Sequence, residues 1–325
     1  MKGAKAEMNI VVLEARSLGD DVSFQAFDRY GAVTVYRETT KEEMPERIRD
    51  ADIVVANKVP FCEETLRDAE NLKMVCLTAT GINNIDGAYL KSRGIAAYHV
   101  AGYSTDAVAQ HTFAILFYVL EKLSYYDGFV KSGEYSRGTM FSHFGKPFFE
   151  LAGKTWGILG LGAIGRKVAQ IAEAFGCRVI CCSASGRTYD TKYEQVDFEE
   201  LLRRSDVLSA HAPLNEFTQG IFDGKAFSMM KPSALFVNVA RGGLVDEDAL
   251  YTALTQGQIA GAALDVLREE PLPADSPLLK IQNSECLVIT PHIGWAPVET
   301  RRRCLEMSVE NVGRFLRGDT ENRVY

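Results

Sequence analysis

The stretch from Lys154 to Arg187 limits what this chain can fold into more than any other. It opens on Thr155-Trp156-Gly157-Ile158-Leu159, an apolar run of strand length suited to burial on both faces. Gly160-Leu161-Gly162-Ala163-Ile164-Gly165 follows, then a helical pattern from Val168 to Phe175 and a second run, Arg178 to Cys182. A strand, a GxGxxG turn, a helix and a second strand within about thirty residues form the context in which this motif carries meaning. Gly160 permits the tight turn, Gly162 lets the backbone approach a pyrophosphate, and Gly165 allows the helix to pack closely on the strand. Free N–H groups at the helix start then face the phosphates, where the helix dipole favours negative charge. Alone, the motif could be an ordinary glycine turn; in this frame it predicts dinucleotide binding.

One usual part is missing. A site for NAD generally has Asp or Glu at the end of the second strand, holding the ribose hydroxyls. Here the chain reads Cys182-Ser183-Ala184-Ser185-Gly186-Arg187, and the first acid downstream is Asp190. The two hydroxyls of Ser183 and Ser185 and the cation of Arg187 suit a 2′-phosphate better than a bare ribose, so NADP is favoured over NAD. The alternative is that these residues are a solvated loop.

At 325 residues the chain is long enough for two domains. A net charge of −7 argues against a nucleic-acid surface, so Arg301-Arg302-Arg303 reads as the solvated face of a helix. No run approaches roughly eighteen consecutive apolar residues, so no membrane span is expected. Met1 to Glu7 is polar and leads straight into a strand, which gives no sign of a secretory leader. The 7 cysteines form no CxxC pair and no metal-ligand spacing, which fits reduced thiols in a cytoplasmic protein.

Both halves alternate strand and helix. Strands are expected over 10–13, 32–36, 52–56, 72–77 and 95–99, with short helices between, for example at Phe24–Arg29 and Lys41–Arg49. A long buried helix follows from Ser104 or Thr105 to about Tyr126, then a polar, aromatic-rich connector from Ser132 to Glu150. After Arg187 further strands end at His211, at Ala240-Arg241, at Asp265 and at Pro291-His292. Such alternation implies parallel sheets covered on both faces, with ligands at the carboxyl ends of the strands.

Arg241, Glu270 and His292 each lie just past an expected strand, at that edge. Reversible hydride transfer at a carbinol carbon needs a group that takes and returns the hydroxyl proton, and imidazole suits this near neutral pH. A carboxylate beside it fixes the tautomer. An arginine can clamp a substrate carboxylate bidentately and polarise its keto oxygen. Blander readings are a structural histidine, a salt-bridged Arg241 and a solvated Glu270. Among the other histidines, His99 and His111 lie in apolar patterns and read as core. His143 sits in the connector, and His211 reads as part of the cofactor pocket.

Taken together, Asn238-Val239-Ala240-Arg241-Gly242, Asp265-Val266 with Glu269-Glu270-Pro271, and Pro291-His292-Ile293-Gly294 closely resemble the D-isomer-specific 2-hydroxyacid dehydrogenase family. The resemblance covers essentially the whole chain. Thr78–Asn84, Gly102–Thr112 and Glu150–Thr155 look like its glycerate dehydrogenase (hydroxypyruvate reductase) branch. It implies an α/β fold of two doubly wound parallel-sheet domains, a Rossmann cofactor domain (103–296) inserted into a flavodoxin-like substrate domain (1–102 and 297–325).

The resemblance further implies an NAD(P)-dependent oxidoreductase interconverting a small 2-keto acid and a D-2-hydroxy acid, hydroxypyruvate or glyoxylate first. Arg241 would be the substrate clamp, Glu270 the partner of the histidine and His292 the acid/base, with Thr80 and Gly81 offering N–H groups to the substrate carboxylate. Ala163, Ile164, His211, Pro213, Thr218, Val239, Ala240, Arg241, Asp265, His292 and Gly294 match cofactor-lining positions. A homodimer is the family expectation; no nucleic acid, membrane or metal is expected. Two rivals stay open: the same chemistry on an aryl or branched keto acid, and a nucleotide-sensing corepressor. Phe141, Phe144, Phe148 and Phe149 could be domain-interface packing or part of a larger, more apolar substrate pocket.

Overall fold

The computed structural model describes residues 8–325, so the expectation for Met1–Glu7 lies outside the described residues. The chain divides into two compact units: one runs to Ser104 and resumes over Ala296–Tyr325, and the other is Thr105–Trp295.

In the first unit, β1 (Met8–Val12), β2 (Gly31–Val35), β3 (Ile53–Ala56), β4 (Met74–Leu77) and β5 (Ala96–Tyr98) form an all-parallel sheet. Their order, β2-β1-β3-β4-β5, is that of a flavodoxin-like doubly wound sheet. Every residue of β3 and β4 is buried, as expected of short Val- and Leu-rich runs covered on both faces. Phe61, Leu66, Leu90 and Ile95 fill one face of this core.

The second unit holds β6 (Thr155–Leu159), β7 (Arg178–Cys182), β8 (Glu194–Gln195), β9 (Val207–Ala210), β10 (Leu235–Asn238), β11 (Gly261–Leu264) and β12 (Leu287–Ile289). They pair in parallel in the order β12-β11-β10-β9-β6-β7-β8. Strand order reverses between β6 and β9, which makes a Rossmann switch point beside the first glycine turn. One side of this sheet is filled by Phe222, Phe227 and Phe236, the other by Trp156, Ile158 and Val168 together with Phe113 and Leu116.

Four helices matter below: α1 (Thr105–Leu120), α2 (Leu123–Lys131), α3 (Ala163–Ala174) and α4 (Val298–Arg317). The long helix expected to reach Tyr126 is therefore two. Lys122 adopts a left-handed conformation (φ 55°) between them, and its Nζ donates to the Glu285 carbonyl at 2.8 Å. The apolar rhythm runs on through the break, so periodicity alone could not place it. Other departures are small. Lys41–Arg49 shrinks to one turn over Met44–Arg47, Phe24–Phe27 is a 3-10 turn, and the two-residue β8 is too short to stand out in sequence. Arg301 is not on a solvated face: its guanidinium donates to the Leu18 carbonyl at 2.6 Å and pairs with Asp21. No helix of the described residues is long and apolar enough to cross a membrane.

Candidate active site

In the second unit, β10, β11 and β12 end in one rank, Asn238 opposite Leu264 and Leu264 opposite Ile289. The three loops that leave these ends carry Arg241, Glu270 and His292. Asn238 closes the first loop: its side chain accepts from Ala240 N (3.1 Å) and donates to the Arg241 carbonyl (2.9 Å). The Arg241 guanidinium donates to the Ala240 carbonyl at 2.7 Å and has no carboxylate partner among the described residues. The salt-bridge reading of Arg241 is thereby set aside. A Cβ on Gly242 would fall 1.8 Å from the Leu267 carbonyl carbon, so only glycine lets this loop lie against the next one.

Glu270 is exposed but held by hydrogen bonds. Its Oε1 accepts from Leu267 N at 3.0 Å, and its Oε2 stands 2.7 Å from His292 Nδ1. A carboxylate there fixes the tautomer with the proton on Nδ1 or, when the ring is charged, pairs with the imidazolium. His292 itself follows a three-residue turn in which its N–H donates to the Thr290 carbonyl (2.9 Å), and it lies at φ 56°.

Asp265, at the end of β11, is 2% exposed. Its carboxylate accepts from Ile293 N and Gly294 N at 2.8 Å each and from Thr290 Oγ1 at 2.6 Å, with His111 Nε2 at 3.2 Å. Although burial opposes ionisation, His111, Thr290 and the two backbone donors hold this carboxyl below its ordinary range. His111 is therefore not a bland core residue, because its Nε2 also lies 3.0 Å from Thr290 Oγ1. Neither contact is legible in sequence, because Thr290 is 179 residues from His111.

The glycine turn has the shape of a phosphate cradle. Gly160 lies at φ 90°, and a Cβ there would meet Ala212 N at 2.7 Å. On Gly165 it would meet the Gly160 carbonyl oxygen at 2.2 Å, which is how α3 packs so closely on β6. Around Gly162, by contrast, no described residue beyond its local chain comes within 4 Å of the same construction, and α3 begins there without a side-chain cap. Uncapped N–H groups beside open space fit a dinucleotide pyrophosphate. Ala163 is exposed and Ile164 half-buried next to it.

Past β7, Ser183 Oγ lies 3.3 Å from Ser185 Oγ and accepts from Arg187 N at 3.1 Å. The exposed Arg187 has no ion-pair partner among the described residues. His211, past β9, places Nε2 3.0 Å from Ser209 Oγ, while its buried Nδ1 has no partner among the described residues. Burial pushes this imidazole down to about 3. An orphaned ring nitrogen beside the glycine turn is a second feature that fits a bound polar ligand. Pro213 is exposed, whereas Thr218 is buried with its hydroxyl donating to the Pro213 carbonyl at 2.7 Å, closing the loop. Val239 is 8% exposed and Ala240 half-buried, both directly before Arg241.

His143 is taken up by the connector itself, its ring 3.7 Å from that of Phe129 and its Nε2 2.8 Å from Tyr125 Oη. In the first unit, Thr80 and Gly81 follow β4 at the carboxyl edge of its sheet. His99, read as core, instead places Nδ1 2.8 Å from the Thr80 carbonyl and so braces that loop. Among the described residues no group of His, Cys, Asp and Glu could hold a metal ion.

A family profile described as D-isomer specific 2-hydroxyacid dehydrogenase, NAD binding domain, matches residues 113–294. The chain is 35% identical to a glycerate dehydrogenase of Methylorubrum extorquens over 97% of its own length and 98% of the relative's. It is 37% identical to a glyoxylate reductase of Thermococcus litoralis over 84% of this chain and 83% of the other. Among solved structures, an acyclic imino acid reductase in complex with NADPH and D-Arg superposes with TM-score 0.86 at 32% identity, covering 98% of this chain and all of the other (100%). The D-lactate dehydrogenase of Aquifex aeolicus, complexed with NAD and lactic acid, superposes with TM-score 0.82 at 28% identity over 97% and 98%.

Proposed function

Because the chain belongs to the D-isomer-specific 2-hydroxyacid dehydrogenase family, oxidoreductases that act on a CH–OH group, we propose that it reduces a small 2-keto acid, hydroxypyruvate or glyoxylate first, to the D-2-hydroxy acid. One observation carries the reading. Arg241, which has no carboxylate partner among the described residues, leaves the same rank of strand ends as an imidazole whose Nδ1 is 2.7 Å from a carboxylate oxygen.

A nicotinamide nucleotide, when bound, would supply the hydride that the keto carbon receives. Arg241 binds the substrate carboxylate and draws electron density from the adjacent keto oxygen. His292, charged before transfer, gives its Nε2 proton to that oxygen as the C–H bond forms, so one hydride and one proton make the hydroxy acid. Its Nδ1 proton stays with Glu270, whose carboxylate stabilises the charged ring and keeps Nε2 turned outward. In oxidation the neutral Nε2 takes the hydroxyl proton back. For Thr80 and Gly81 the proposal concerns the first unit alone, N–H donors offered at the edge of its sheet.

The nucleotide would lie with its pyrophosphate at Gly162–Ile164, and we read Ser183, Ser185 and Arg187 as recognising a 2′-phosphate, favouring NADPH. Parallel assays of NADPH and NADH oxidation with hydroxypyruvate, glyoxylate, pyruvate and phenylpyruvate test both points. Fastest turnover of hydroxypyruvate or glyoxylate with NADPH is the expected result, and Arg187→Ala should narrow the nucleotide preference by about tenfold. Preference for phenylpyruvate would move the substrate to the aryl class. Tight nucleotide binding without oxidation of any pair would bring back the sensor.

A further inference from the structure

Thr290 has one hydroxyl proton, and its 2.6 Å contact to Asp265 Oδ1 takes it. His111 Nε2, 3.0 Å from Thr290 Oγ1 and 3.2 Å from Asp265 Oδ1, must then carry a proton and share it between both oxygens. The ring also walls the turn, since its Cδ2 lies 3.2 Å from where a Cβ on Gly294 would stand. Behind it α1 is fixed by buried Ala109, Thr112 and Phe113. The turn so enclosed holds His292 at φ 56°, a conformation that a residue with a Cβ keeps only where its surroundings impose it.

We propose that His111 is a positioning residue for His292: through Thr290 and Asp265 it locks the turn from which His292 reaches Glu270. This rests on the reading of His292 as acid/base. The donor on α1 keeps the Thr290 hydroxyl aimed at Asp265, Asp265 keeps both its backbone donors, and the imidazole of His292 stays in register with the glutamate. Without the donor, the Thr290 hydroxyl turns to the Leu264 carbonyl, already 3.4 Å away, and the turn relaxes toward the space vacated by the ring.

The test compares His111→Ala, His111→Gln and His292→Ala in the full chain, with hydroxypyruvate and NADPH. His111→Ala should lower kcat on the order of tenfold to a hundredfold, the scale of a small misplacement of a reacting group, with KM and the nucleotide Kd within about twofold. His111→Gln, which presents an amide donor at the same reach, should recover most of it. A second readout needs no turnover: the downfield proton resonance of the His292 Nδ1–H, assigned by its absence in His292→Ala, should be lost in His111→Ala and kept in His111→Gln. Should His111→Ala fail to fold, His111→Phe, which retains bulk without the donor, takes its place with the same expectation. Wild-type kcat and resonance in His111→Ala (or His111→Phe), or equal losses in the alanine and glutamine variants, overturn the inference. Full activity in His292→Ala overturns the underlying mechanism instead.

Discussion

Arg241 and His211 illustrate two ways a side chain can be left ready for a ligand. The arginine keeps a charged fork without a carboxylate partner among the described residues, so removing it should weaken the substrate more than the chemistry. Arg241→Ala is expected to raise KM for the keto acid by about a hundredfold, the scale of losing one partner of a charge-assisted pair, with a smaller change in the nucleotide Kd measured by fluorescence titration. His211 has no partner at its buried Nδ1 among the described residues, and its imidazole, at about 3 when folded, lies well below the ordinary 6.5. The unfolded chain therefore binds the extra proton first. Stability from this group is complete above about 6.5 and drains as pH falls toward about 3. Denaturant titrations of the nucleotide-free protein at about pH 7.5 and about pH 5 should show a smaller acid-side loss in His211→Asn than in the parent. Sequence made Arg241, Glu270 and His292 legible because each lies in the loop that leaves the end of an apolar run. His99 and His111 were not, since a histidine inside such a run gives no sign of a carbonyl or carboxylate arriving from another strand.

Elements were legible where one period held without interruption, as in β6, β7 and α3. They failed where a single residue changed hand, as at Lys122, or where two residues sufficed, as in β8. The glycine turn allows a sharper test, because its two inner glycines serve different ends. Gly165→Ala drives a methyl into the Gly160 carbonyl, 2.2 Å away, and should destabilise the nucleotide-free protein by about 1–3 kcal/mol, the range for overpacking. Gly162→Ala meets no described residue beyond its local chain within 4 Å and should leave the melting temperature alone while weakening nucleotide binding. Calorimetry on both variants with and without NADPH separates the two. A melting temperature lowered equally in both would dissolve the distinction.

At the scale of the whole molecule, both sheets could be anticipated from the alternation of strand and helix, whereas the fate of the connector could not. Its phenylalanines were open between packing and pocket; Phe141 and Phe144 are 86% and 88% exposed, with Met140 at 64% and Phe148 at 56% beside them. Aromatic side chains bury roughly 150–250 Å² each, so this strip approaches half of the roughly 800 Å² that one partner contributes to a stable interface. We propose that a second copy of the chain covers it. Phe144→Glu should convert a dimer to a monomer in light scattering; an unchanged mass would assign the strip elsewhere. Composition hinted at none of this, because exposure depends on how a polar-flanked aromatic run is draped, not on what it contains.

Arg241 has one more consequence, for anyone who purifies or assays the protein. A guanidinium with no carboxylate partner among the described residues cannot distinguish the carboxylate of a keto acid from other planar or tetrahedral anions of similar size. Sulfate and phosphate in a buffer should therefore behave as competitive inhibitors, raising the apparent KM in proportion to their concentration. Arg241→Ala should abolish this competition.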